Sequence, residues 1–425
     1  MAKISSKVAE RLAGVDDAKD AGTALLDILR DFSTISGPAT IQDDLVAIGD
    51  AVFERSLGIV AARQVLDRLI STLRSFDKDS SDTVWISVGD HLLQKLEAAA
   101  QHTSFLEQTA ELYDLVATAH ENDEDYAAAA KRLACIPLDS SQRRVSQEDK
   151  VRVWVRIVRD YLEVDDSAAA ESYLNKLKSV IFDVHDQELN LHFKLSQARI
   201  NDAKREFLAA STAYHDISYS PAIAEEERMH TLSMAIKCAI LAPAGPTRSR
   251  VLGRLYKDDR ATHLVDEYSI LEKMFLNRLL TPAEVDKFAK SLQPHQLATT
   301  ADGSTVLAKA VVEHNLLGVS LLYRNIPISN LARLLGLDAA KAEETTAHMV
   351  EQGRLVGRID QIDGYVWFEG GEASGEAGSG RTEGAVDKEL RQWDTNVQSL
   401  AEEVESISNA LQQVYPGFVA QNLAA

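Results

Sequence analysis

The chain has 425 residues, 45% of them hydrophobic, and a formal net charge of −20. That length leaves room for about two to four domains, and that charge repels nucleic acid and anionic membranes. Only nine prolines occur, and Ala, Leu, Glu, Lys and Gln dominate, which favours a mainly α protein. Cys135 and Cys238 lie far apart in Ala-rich helical surroundings and read as reduced core residues. The start lacks the apolar run of a signal peptide. The longest apolar stretch, Met234 to Ala244, is interrupted by Lys237 and is too short to span a bilayer. These features predict a soluble intracellular protein.

Apolar residues at helical spacing predict helices over Ile41–Glu54, Val60–Phe76, Thr83–Ala99, Phe105–His120 and Glu124–Leu133. Further ones follow at Gln147–Leu162, Ser167–Leu177, Asp186–Ile200, Asp202–Ile217 and Pro221–Leu241. Gly58, 77–81, 137–141, Asp165-Asp166 and Ser220-Pro221 supply the breaks. A repeat runs through this stretch. Tyr126-x-x-Ala129, Ser167-x-x-Ala170 and Phe207-x-x-Ala210 recur at spacings of 41 and 40. Four residues after each Ala stands a large residue: Leu133, Leu174 and Tyr214. A small residue at a fixed place lets the paired helix approach closely, as in an α-solenoid of helical hairpins.

Short helices are predicted at Tyr268–Leu280 and Pro282–Leu292, the second capped by Thr281 with Pro282 at its first position. A loop, His295-Gln296-Leu297-Ala298-Thr299-Thr300-Ala301-Asp302-Gly303-Ser304, follows with no periodicity and ends in turn chemistry. Asp302 or Ser304 is the expected cap of a long helix from Thr305 to Tyr323. Helices Ile328–Leu335 and Asp338–Glu351 turn at Gly336-Leu337, with Gly353 closing the second. Runs 355–362 and Tyr365-Val366-Trp367-Phe368 flank Asp363-Gly364, a strong hairpin signal. Helix, helix and hairpin in this order make a winged helix.

Glu369 to Ala385 holds six glycines with Ser, Glu and Thr, which reads as a flexible linker. From Val386 the apolar positions Leu390, Trp393, Val397, Leu400, Val404, Ile407, Leu411 and Val414 alternate by four and three. That is a heptad seam, which needs partner helices in water. Trp393 is its expected anchor.

Catalytic chemistry is thinly represented. None of the eleven histidines forms His-x-His, and no His-Glu-x-x-His, Cys-x-x-Cys, Gly-x-Ser-x-Gly or phosphate-binding glycine loop occurs. No catalytic, metal or cofactor residue is therefore predicted. A winged helix often reads DNA with its second helix. Here that helix carries Asp338, Glu343, Glu344 and Glu351 against Lys341, and the span from Asn325 to Phe368 has four basic and six acidic residues. A phosphate-reading surface needs the reverse balance. Strand Tyr365, Val366, Trp367, Phe368 is instead expected to offer unpaired backbone groups at a free edge, and a large apolar face, for protein docking.

A solenoid ending in a winged helix resembles the PCI-domain family of scaffold subunits. That family serves the proteasome lid, the COP-9 signalosome and a translation initiation factor. Pro294-His295-Gln296, 298–304, 310–317 and Ile359-Asp360-Gln361-Ile362-Asp363-Gly364 look most like the fourth-subunit branch of the signalosome. Ala339-Ala340-Lys341-Ala342-Glu343, Glu124-Asp125-Tyr126 and Ile136-Pro137-Leu138 are similar to it too. The likeness is dense over 268–368 and fades before residue 100.

The resemblance implies a non-catalytic scaffold, cytoplasmic and nuclear, in a complex that removes Nedd8 from cullins. Its implied organisation is a solenoid over 1–255, a PCI domain over 256–368 with the winged helix at about 305–368, a linker at 369–385 and a bundle helix with tail at 386–425. Implied partners are sister PCI subunits, metalloprotease-like subunits and neddylated cullin-RING ligases. It also implies that a loop through His295, Gln296, Thr299, Thr300, Asp302 and Gly303 couples substrate docking to activation. A proteasome-lid scaffold remains an alternative, and a nucleic-acid-binding regulator or a self-contained hydrolase less so.

Overall fold

The structure is a computed structural model. It describes residues 4–15, 21–37, 40–54, 57–76, 78–99, 102–140, 143–299, 303–368 and 381–418. Helices α1 (Ser6–Val15), α2 (Ala21–Arg30), α3 (Phe32–Ile35), α4 (Ile41–Glu54), α5 (Ile59–Arg74) and α6 (Lys78–Ala98) open the chain. Next come α7 (Leu106–Asn122), α8 (Tyr126–Ala134), α9 (Gln147–Glu163), α10 (Ser167–Lys178), α11 (Gln187–Ala203), α12 (Phe207–Ser218) and α13 (Glu225–Leu241). These, with 260–267 and 292–298, form one compact unit that ends its main run at Ala242, where the sequence expectation put a boundary at 255.

The 40-residue period has a structural cause. Ala129, Ala170 and Ala210 are fully buried, and Leu133, Leu174 and Tyr214 pack with them in the interior. The turns share the period as well. Glu124, Asp165 and Arg205 adopt the left-handed conformation, with φ of 61°, 60° and 64°. Each closes a Schellman turn: Asp125 N–H to His120 O at 2.9 Å, Asp166 N–H to Tyr161 O at 2.9 Å and Glu206 N–H to Asn201 O at 2.8 Å. Side-chain bonds across neighbouring repeats carry the same register toward the N-terminus. Arg156 reaches Asp114, Arg132 reaches Asp90, Gln108 reaches Asp67 and His91 reaches Asp50, each 41 or 42 residues away.

The turn at Lys204 corrects one expectation. Asp202 was placed at the start of a helix, yet it lies in the last turn of α11. Cys135 is also exposed, not a core residue, because it caps the end of α8, whereas Cys238 is buried.

The second unit holds α14 (Pro246–Tyr256), α15 (Val265–Phe275, from Tyr268 on), α16 (Pro282–Ala289) and α17 (Val306–Leu322). Its winged helix continues with β1 (Asn325–Pro327), α18 (Ile328–Leu335), α19 (Ala339–Glu351), β2 (Gly357–Asp360) and β3 (Tyr365–Phe368). Helix α20 (Arg381–Val414) ends the unit and begins five residues before the end of the expected linker; the rest of that linker, 369–380, lies outside the described residues. Thr281 and Glu284 form the capping box of α16. Thr305 itself caps α17, accepting Ala308 N–H at 3.1 Å, in place of Asp302 or Ser304. Leu316, Val319, Ile326, Leu331, Met349, Leu355, Val366 and Phe368 build the winged-helix core.

Candidate docking surfaces

The loop after α16 begins as a single 3-10 turn, Pro294–Leu297. Its side chains divide sharply. Gln296 is 0% exposed, and its Nε2 donates to both carboxylate oxygens of Asp202, at 3.1 and 2.9 Å. His295 Nε2 lies 3.2 Å from Asp202 Oδ2, with much of its ring in solvent. Thr299 is exposed and bridges to Thr305, and Gly303 turns the chain at φ 73°. Thr300 and Asp302 lie outside the described residues. The loop residues picked from sequence therefore do not form one outward surface, since Gln296 faces the interior.

The strand expectation needs correction. Residues Tyr365, Val366, Trp367 and Phe368 form the central strand of a three-stranded antiparallel sheet ordered β1-β3-β2. Trp367 pairs with Asn325 on one side and with Arg358 on the other. The backbone of β3 is already bonded on both sides, so the free edges belong to β1 and β2. Three-residue β1, with Pro327 in it, is too short to register in the sequence as a strand. What β3 offers is side chains. Val366 and Phe368 are buried, while Tyr365 and Trp367 face out, with Arg358 stacked 5.4 Å from the Trp367 ring. Ile362, at the hairpin tip, is 97% exposed. An apolar patch therefore exists on the wing, on a face and a tip instead of an edge.

The heptad seam is bare. Trp393 is 65% exposed, and Val397, Leu400, Val404 and Ile407 are exposed as well; Leu411 is half-buried. Of Leu390 only the helical backbone is described. Among the described residues no helix is long and apolar enough to cross a membrane, and no group of His, Cys, Asp and Glu could hold a metal ion.

Known proteins match over this whole arrangement. The family described as PSMD12/CSN4, N-terminal, matches residues 18–226, and the PCI domain matches residues 272–369. A Neurospora crassa protein named COP9 signalosome complex subunit 4 is 54% identical, covering 98% of both chains. The chain belongs to the COP9 signalosome subunit 4 family. Relatives of that name from Emericella nidulans (48% identical over 95% of this chain and 97% of the relative) and Drosophila melanogaster (35% over 94% and 93%) agree.

In this chain, two buried polar clusters contain partners that the sequence reading did not name. Asp202 is one: a carboxylate in the last turn of a helix opposes the helix dipole and needs a special partner, but the sequence reading set it at a helix start, where that signal does not arise. The other supports the winged helix. Glu313 on α17 receives Arg354 at 2.5 and 3.0 Å and Ala244 N–H at 3.1 Å. Arg248, almost wholly buried, points at His314 Nδ1 at 3.5 Å. Burial lowers the His314 imidazole to about 4, and Arg248 adds to the effect. Neutral His314 then donates Nε2–H to Arg278 O at 2.8 Å. Asn315 accepts Leu280 N–H at 3.0 Å. His314 and Asn315 are thus satisfied structural residues, as their helical position suggests.

Proposed function

We infer that this chain is a non-catalytic PCI scaffold of the COP-9 signalosome that supports removal of Nedd8 from cullin-RING ligases. The carrying observation is α20. A helix with Trp393, Val397, Leu400, Val404 and Ile407 exposed along one seam is costly in water and is satisfied by a bundle with helices of other subunits. The wing patch of Tyr365, Trp367 and Ile362 suits docking to winged helices of sister PCI subunits. The solenoid serves the side that receives neddylated cullin-RING ligases, and the loop at His295 serves the metalloprotease-like subunits. Such a subunit works in both cytoplasm and nucleus. Catalysis is assigned to the metalloprotease-like partners, because this chain lacks the His-x-His pair that a zinc isopeptidase needs.

Deleting 386–425 tests the reading. The truncated chain should lose its co-purified sister subunits while keeping the melting behaviour of its two compact units. Full-affinity entry of the truncated chain into an intact complex would remove the role given to α20.

A further inference from the structure

Asp202 is 2% exposed in the last turn of α11, where the helix carbonyls already make the field negative. A carboxylate buried there needs strong donors. They come from the root of the loop. Gln293 N–H donates to Gln296 Oε1 at 3.2 Å, which leaves the Gln296 Nε2 aimed at both Asp202 oxygens. His295 adds its ring nitrogen from the solvent side. On the inner side stand Tyr214 and Cys238, both kept protonated by burial and further by Asp202, and the Cys238 thiol is a weak additional donor to that carboxylate. A cavity of about 750 Å³ lies alongside, lined by His295, Gln293, Asp202, Arg199 and His230. The loop root thus borders open space and is tied to α11 by these polar bonds.

We propose that Asp202 is a positioning residue: it latches Gln296 and His295 and so fixes the root from which the coupling loop departs. This rests on the coupling role assigned to the loop above. The latch has a donor end and an acceptor end, so it can be reversed. Gln296→Glu sets two carboxylates against each other and opens it. Asp202→Asn combined with Gln296→Glu exchanges donor and acceptor and closes it again.

The test uses the full chain and the complex reconstituted with it. Gln296→Glu should raise amide hydrogen exchange over 293–299 by about tenfold. It should also shift the kcat for deneddylation of a neddylated cullin by roughly threefold with KM held. The double variant should restore both readings. His295→Gln, a milder lesion, should move both in the same direction by less. Unchanged exchange in Gln296→Glu and His295→Gln, or failure of the double variant to restore it, would overturn the latch. Restored exchange with kcat never having moved would overturn the positioning role. If the wild-type complex itself shows no deneddylation, the assembly reading has failed, and the exchange arm still decides the latch.

Discussion

Asp160 on α9 is 0% exposed, and neither of its carboxylate oxygens has a hydrogen-bond partner. Burial first, and then the charge of the nearby Glu121, push its pKa up to about 7 against the pull of Arg159 and Arg156. Arg156 is committed to Glu121 and Asp114. A carboxyl raised from 3.8 contributes its full stability at low pH and loses it as pH climbs through about 7. Asp160→Asn cannot ionise, so the variant should gain about 2 kcal/mol over wild type at pH 8 and almost nothing near pH 4. Urea unfolding at both values checks this; an equal difference at the two would remove the protonation account. Arg354→Met is the opposite case. It leaves Glu313 buried without its cation and should cost about 3 kcal/mol, read as a lower denaturation midpoint. At this scale the sequence was partly legible. Small alanines at 129, 170 and 210 announced the core, because size and spacing are written in the residue itself. Buried Asp160, Asp202 and Arg248 were not, because what they face comes from helices far along the chain.

Elements were easier to read than their junctions. Helix α16 was found with its cap, since Thr281, Pro282 and Glu284 form a local code. Helices α1 to α3 and α14 were not read from the sequence: α3 has four residues, and α1 buries only Val8 and Val15. Strand β1 was missed for the same reason of length, and with it the fact that β3 is central. The hairpin itself depends on Gly357, where an added Cβ would stand 2.5 Å from the Trp367 carbonyl oxygen. Gly357→Ala should therefore push β2 away from β3 and destabilise the wing by about 2 kcal/mol. Exchange of the β3 amides should quicken while solenoid amides stay protected; uniform behaviour would argue against a local clash.

For the whole molecule, helical repeats, a winged helix and a heptad helix were visible in sequence, and family matches lie over 18–226 and 272–369. The bare seam of α20 separates folding from assembly. Leu400→Asp with Ile407→Asp should leave thermal stability within about 0.5 kcal/mol of wild type, because both side chains are already exposed. The same variant should fail to enter the complex. The central claim is that this chain is a scaffold of a deneddylating assembly, and native mass spectrometry of the tagged full-length chain tests it most directly. The account predicts a stoichiometric complex with other PCI subunits and metalloprotease-like subunits that removes Nedd8 from a cullin. Recovery of the chain alone, or within a proteasome lid, would contradict it.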